Sequence, residues 1–128
     1  MKVYIAATFE RKEEVKEIQQ RFIKQGHVIS TDWTTHKTIA HEAKQEELAK
    51  EYAIEDVDGV SSTDLFILLV GERKSTGAHI ELGVALGANV PNVYVVGETD
   101  DSSLFYYHPK VKRIKTIDEI LSKFGNPA

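Results

Sequence analysis

The sequence predicts an open, parallel α/β sheet of five strands with helices on both faces, and three observations carry that reading. Apolar stretches of strand length alternate with segments of helical periodicity along the chain. The strand candidates are continuously apolar rather than alternating, as strands buried on both faces are. The 128 residues suffice for one domain, taken as residues 1–128, and leave no room for two.

The elements follow in order. Residues 3–7 form an unbroken apolar run, the first strand. Val15, Ile18, Phe22 and Ile23 then recur at helical spacing among Glu, Lys and Gln; this helix starts at or just after Thr8 and ends at Gly26. Residues 27–30 make a short second strand. Residues 31–41 are polar and aperiodic and carry the one tryptophan, so they read as a loop. A helix spans about 43–61, and residues 65–70 are the central strand. Ser75-Thr76-Gly77 caps another helix over about 78–88. Residues 92–96 form a fourth strand and 111–115 a weak fifth. Thr116 caps a last helix with Ile117, Ile120, Leu121 and Phe124 inward. Such alternation makes βαβ units with right-handed crossovers, a flavodoxin-like (Rossmann-like) arrangement. Ligands of these folds bind beyond the carboxyl ends of the strands, where strand order reverses. The turns after Ala7, Val70 and Val96 are therefore where chemistry is expected.

Composition excludes several classes. Hydrophobic residues at 41% and charged residues at 28% fit neither a disordered chain nor a membrane protein, and no apolar run approaches a bilayer span. The apolar start is followed at once by charged residues without a cleavage pattern, so no signal peptide is expected. The absence of cysteine removes disulfides and thiolate metal sites and fits a reducing cytoplasm, the expected location. A net charge of −4 with interspersed signs argues against a nucleic-acid polymer as partner. His27, His36, His41, His79 and His108 lack metal-ligand spacing, so no metal is expected. With neither a Walker A pattern nor Gly-x-Gly-x-x-Gly, no nucleotide cofactor is expected either. The run 10–17 reads as a solvated helix face.

Two carboxylates stand out. Asp56 falls within an apolar helical stripe of Leu48, Ala49, Tyr52, Ala53 and Val60. Burying an unpaired carboxylate costs on the order of several kcal/mol; the equal alternative is a frayed helix end where Asp56 meets solvent beside Glu55 and Asp58. Glu81 lies in the expected first turn of the helix after the central strand, where the positive helix end would keep it ionised and nucleophilic. Acidic residues also occupy first turns for dipole reasons alone. Gly77 and Gly83 add the possibility of close backbone approach to a ligand and tight helix–sheet packing. Trp33 and His36 lie in the loop after the second strand, placed to cover a ligand, although a tryptophan packed on its own domain is an equal reading. Two carboxylates at neighbouring strand ends, one nucleophile and one proton donor, are the equipment of glycoside chemistry.

The stretch Asp56-Val57-Asp58-Gly59-Val60, then Thr63-Asp64-Leu65-Phe66-Ile67-Leu68, then Ser75, Gly77 and Glu81-Leu82-Gly83-Val84-Ala85-Leu86, resembles the nucleoside 2-deoxyribosyltransferase family. That superfamily includes the 2′-deoxynucleoside 5′-monophosphate N-hydrolases. The resemblance covers roughly residues 4–105 and is strongest over 56–86. It implies that Glu81 attacks the anomeric carbon and forms a covalent deoxyribosyl intermediate. Asp56 would protonate the departing base and then activate the acceptor, and the Tyr4 hydroxyl would orient the nucleophile. Ser75 matches a serine that contacts a 5′-phosphate, where the transferases tend to carry an acid. Ser103 matches a residue supplied to the 5′ end by a neighbouring subunit, so a homodimer or higher homo-oligomer is expected. Thr8 and the amides of Arg11 and Lys12 would close over the phosphate, beside Gly77. The chain departs from the family at His79, where a glycine is common, and in a first turn less rich in glycine.

The resulting expectation is an N-glycosidase of 2′-deoxyribonucleoside 5′-monophosphates, with a small-molecule nucleotide or nucleoside as partner and no cofactor. Base exchange between deoxynucleosides is the alternative within the family. A non-catalytic nucleotide-sensing module is the alternative of another class, and a ribosyl-cleaving enzyme of the NAD-consuming kind ranks last.

Overall fold

The computed structural model describes residues 1–37 and 45–125. His41 and the expected helix start near Ala43 lie outside the described residues. The order is β1 (Lys2–Ala6), α1 (Lys12–Lys24), β2 (Val28–Ile29), α2 (Glu46–Ser61), β3 (Leu65–Leu69), α3 (Thr76–Gly87), β4 (Asn92–Val96), β5 (Val111–Ile114) and α4 (Ile117–Phe124). Short 3-10 turns intervene at Phe9–Arg11, Trp33–Thr35 and Leu104–Tyr107. All five strands are parallel in the order β2-β1-β3-β4-β5, the flavodoxin-like arrangement.

The central strands form where the sequence is continuously apolar. Val3, Tyr4, Ile5 and Ala6 of β1 and all of β3 are buried, in the register Tyr4↔Phe66 and Ile5↔Ile67. The edge strands are weaker: β2 pairs through two residues, and β5 exposes Lys112 and Arg113, charges that blunt a free edge. Helix α1 buries Val15, Ile18 and Phe22. Ile23, expected inward, is exposed, and Gln19 takes the buried place, its amide donating to Asp32 Oδ1 at 3.2 Å. After α1 the chain turns through Gly26 at φ +91°, where the amides of Gln25 and His27 both donate to the Phe22 carbonyl. That left-handed step is one a glycine takes without strain.

Helices α1 and α4 share one face of the sheet, joined by Arg21–Asp118 at 2.5 Å. Helices α2 and α3 pack together on the other. Strand order reverses between β1 and β3, because β2 lies on one side of β1 and β3 on the other. This reversal opens a crevice at the carboxyl ends of β1 and β3, the place where such sheets bind ligands.

Helix α2 departs from the sequence expectation. Only Gly59 and Val60 are buried. Leu48, Ala49 and Tyr52 are partly exposed and Ala53 is exposed, because the stripe faces α3 and the crevice rather than the sheet. The close approach in α2 is at Gly59, where a Cβ would meet Thr31 Oγ1 at 2.0 Å.

Candidate active site

A cavity of about 450 Å³ fills the crevice. Its floor is Ala7 at the end of β1 and Ser75, Gly77, Ala78 and Glu81 from the start of α3; its walls are Phe9, Trp33, His36, Lys37, Tyr52 and Asp56. Both carboxylates singled out in the sequence therefore line one cavity. Asp56 sits neither in a core nor at a frayed end: it projects from a continuous helix into the pocket, its side chain 24% exposed.

Tyr4 comes from the buried centre of β1, its ring stacked on Phe66 at 5.9 Å, and its hydroxyl donates to Glu81 Oε2. Burial, then the charges of Glu81 and Asp56, push the Tyr4 hydroxyl far above its ordinary range, so it keeps the proton that it donates to Glu81. Helix α3 begins at Thr76, which places Glu81 in the second turn rather than the first. Its carboxylate is consequently bound by a side-chain hydroxyl and not by free helix amides. Burial raises the Glu81 carboxyl to about 7; the Tyr4 hydrogen bond opposes that rise and the charge of Asp56 adds to it. Burial raises Asp56 as well, against a downward pull from His36 and with an upward push from Glu55. Two carboxyl groups in one cavity, each with its proton affinity raised by burial, are the equipment that acid–nucleophile chemistry uses.

The polar loop after β2 is fixed by its aromatic residues. Trp33 is buried, with Nε1 donating to the Ile5 carbonyl at 2.5 Å, so it both packs on its own domain and lines the cavity. His36 stacks flat on Tyr52, with centroids 3.8 Å apart and planes within 2°. The Lys37 amide donates to the Tyr52 hydroxyl at 2.9 Å. Tyr52, Phe9 and Lys37 were not singled out in the sequence. The signal for Tyr52 was its place one helical turn before Asp56, on the same face; Phe9 and Lys37 had none.

The residues expected at the 5′ end are only partly gathered. Ser75 caps α3, its Oγ accepting the Ala78 amide at 3.1 Å, and it lines the cavity together with Gly77. A Cβ at Gly77 would find only Ser75 Oγ, at 3.9 Å, so the backbone there is open to a ligand. Gly83 also meets nothing within 4 Å and makes no tight helix–sheet contact. Thr8 lines an adjoining crevice with Ser75, His79 and Tyr106. The amides of Arg11 and Lys12 are taken by the carbonyls of Thr8 and Phe9 within the 3-10 turn, so they are spent before any phosphate arrives. The Arg11 guanidinium instead donates to the Val70 carbonyl at 3.3 Å and pairs with Glu14 at 2.8 Å. Arg73 pairs with Glu10, and Lys74 with Asp101 at 3.1 Å. Ser103 caps the turn Leu104–Tyr107, accepting the Phe105 amide at 3.2 Å, and does not line the cavity of its own chain. His79 links these parts: its Nδ1 meets the Ser75 carbonyl at 2.7 Å and its Nε2 the Tyr106 hydroxyl at 2.5 Å.

No family model matches the chain, and no curated protein does. Solved structures do share its fold. The CMP N-glycosidase BcmB of Clostridium botulinum aligns with TM-score 0.67 at 19% identity, over 96% of this chain and 97% of its own. A 2-deoxyribosyltransferase from the psychrotolerant bacterium Bacillus psychrosaccharolyticus aligns with TM-score 0.68 at 14% identity, over 94% of this chain and 90% of its own. At these identities the shared property is the fold. Both neighbours are enzymes of the kind to which the sequence resemblance pointed. Among the described residues no helix is long and apolar enough to cross a membrane, and no group of three or more His, Asp or Glu could hold a metal.

Proposed function

We propose that the chain is an N-glycosidase that cleaves the base–sugar bond of 2′-deoxyribonucleoside 5′-monophosphates through a covalent deoxyribosyl–Glu81 intermediate. The observation that carries this reading is the Glu81 carboxylate, bound by Tyr4 and sharing one cavity with Asp56. A Glu81 oxygen attacks C1′ as the C1′–N bond breaks, and the electron pair leaves on the base, which takes the proton of Asp56. Asp56, now a carboxylate, removes a proton from water; the water oxygen attacks C1′ and Glu81 departs as carboxylate.

The 5′-phosphate is assigned to Ser75. Its Oγ accepts from Ala78, which leaves the hydroxyl proton to donate, and the N-terminal turn of α3 favours an anion. No acid stands at this position to repel a phosphate. Thr8, one crevice away, is the second candidate contact, and Ser103 is assigned to the cavity of a second copy. Base exchange is the second reading. The flat His36–Tyr52 stack supports it, because such a wall can retain a base while another replaces it. A sensing module would leave a costly pair of half-buried carboxylates without a task.

Base release from a panel of nucleosides and their monophosphates, resolved by chromatography, tests the reading. Deoxyribonucleoside monophosphates are expected to be cleaved, and Glu81→Ala to lose several decades of rate. Glu81→Ala within tenfold of wild type would refute the covalent step.

A further inference from the structure

His36 is bound too specifically for a residue that merely covers a base. Its side chain is 12% exposed, and its ring is pressed flat on Tyr52. Stacking fixes the plane of the imidazole, so its edge has one direction to point. That edge is aimed at two carboxylates of α2: Nε2 lies 3.3 Å from Glu55 Oε2 and 3.9 Å from Asp56 Oδ1. Glu55 is mostly in solvent, its side chain 58% exposed, whereas Asp56 Oδ1 is buried and has no hydrogen-bond partner among the described residues. A distance of 3.9 Å is too long for a hydrogen bond and short for a charge–charge contact. The loop cannot drift from this position easily, since Tyr52 also accepts the Lys37 amide and Thr31 Oγ1 donates to the Glu55 carbonyl at 3.2 Å.

Resting on the proposed cleavage chemistry, we propose that His36 is a positioning residue that acts through Asp56, its imidazole edge supplying the charge against which Asp56 releases and regains the proton destined for the leaving base. As the base departs, Asp56 becomes a carboxylate whose Oδ1 is buried, and a proton carried on His36 Nε2, 3.9 Å away, would face it. When Asp56 recovers a proton from water, that attraction is released. The charged and titratable groups around the ring are Glu55, Asp56 and Tyr52 from α2, Lys37 next in the chain, and Glu81 with Tyr4 across the cavity. The downward pull of His36 on Asp56 runs in the required direction.

The Asp56 side-chain carboxyl, followed by 13C NMR through a pH titration, tests this without substrate. H36F keeps an aromatic ring on Tyr52 and removes both ring nitrogens. In H36F the Asp56 midpoint is expected about one pH unit above wild type; an unchanged midpoint overturns the proposal. H36Q gives the same readout should H36F fail to fold. In kinetics on the cleaved substrate, the alkaline limb of kcat/KM, which reports loss of the Asp56 proton, moves up with that midpoint while the acid limb stays. A uniform fall in rate with both limbs in place marks a structural role only and overturns the proposal. Absence of base release from wild-type protein would fail the substrate reading while leaving the NMR result standing on its own.

Discussion

Glu81 is held by one neutral donor, so its charge state is adjustable in a way that a carboxylate clamped by arginine is not. Tyr4→Phe removes that donor. Removing one preorganised donor from a reacting site costs roughly a hundredfold, and because the Tyr4 hydrogen bond pulls Glu81 down, its loss also moves the acid limb of kcat/KM to higher pH. A pH–rate profile of the variant measures both. The same carboxyl bears on stability. It titrates at about 7 in the folded chain against an ordinary 4.5, so folding favours its protonated form and ionising it is a penalty. That penalty is absent below the unfolded value, grows as pH rises between the two, and is complete above the folded value, where it is on the order of 3 kcal/mol. Glu81→Gln should therefore melt several degrees above wild type at pH 8 and converge with it near pH 5, by thermal denaturation. Asp56 stands out in the sequence because a carboxylate amid apolar neighbours is an anomaly that periodicity exposes; Glu81 stands out by its place just after a capped turn, and Tyr4 is reached only through the family resemblance. The ionisation state of Glu81 was not: it depends on whether α3 starts at Thr76 or two residues later, and on a strand residue 77 positions away. The His36–Tyr52 stack was equally hidden, since nothing in a linear pattern says which loop residue meets which helix face.

At the scale of the element, α3 carries the site, and its cap offers a clean separation of charge from structure. Aspartate caps a helix as well as serine does, so Ser75→Asp should leave α3 in place while adding a carboxylate where the phosphate is assigned. At contact and an effective dielectric near 20, that repulsion is on the order of 4 kcal/mol. Monophosphate cleavage should fall by roughly two to three decades, mainly through KM, while an unphosphorylated deoxynucleoside holds steady or improves. Steady-state kinetics on the two substrates decides it; an equal effect on both removes Ser75 from the 5′ end. Strands β1, β3 and β4 could be read directly, because burial on both faces leaves an apolar run that nothing else explains. Helix α2 was misjudged for a physical reason: an apolar stripe records that water is excluded, not whether a sheet or a ligand cavity excludes it. Gly83 misled similarly, since a small residue is compatible with tight packing and with an open face.

On the whole molecule, α2 and α3 present Ile54, Val57 and Ile80 at 53%, 44% and 61% exposure. Gly83 and Gly87 beside Ile80 have open space where a Cβ would stand. Leu104 and Phe105, next to Ser103, are exposed as well. Exposed apolar residues suit a partner surface, and a second copy could bring Ser103 where its own chain does not. Ile80→Glu is expected to convert a dimer to monomer by sedimentation velocity and to reduce base release with it; a fully active monomer contradicts the assignment. An oligomer leaves little trace in one sequence, because an interface residue and a core residue look alike until the fold separates them. The ion pairs beside the adjoining crevice, where Thr8 and Ser75 meet, have a different consequence. Arg11, Arg73 and Lys74 each already hold a carboxylate, from Glu14, Glu10 and Asp101. A phosphate entering here does not settle on a bare basic patch; to engage any of these cations it must evict an acid. Recognition becomes an exchange of one anion for another, with little net release of counterions, so its strength depends on fit and changes only gently with the ionic strength of the medium.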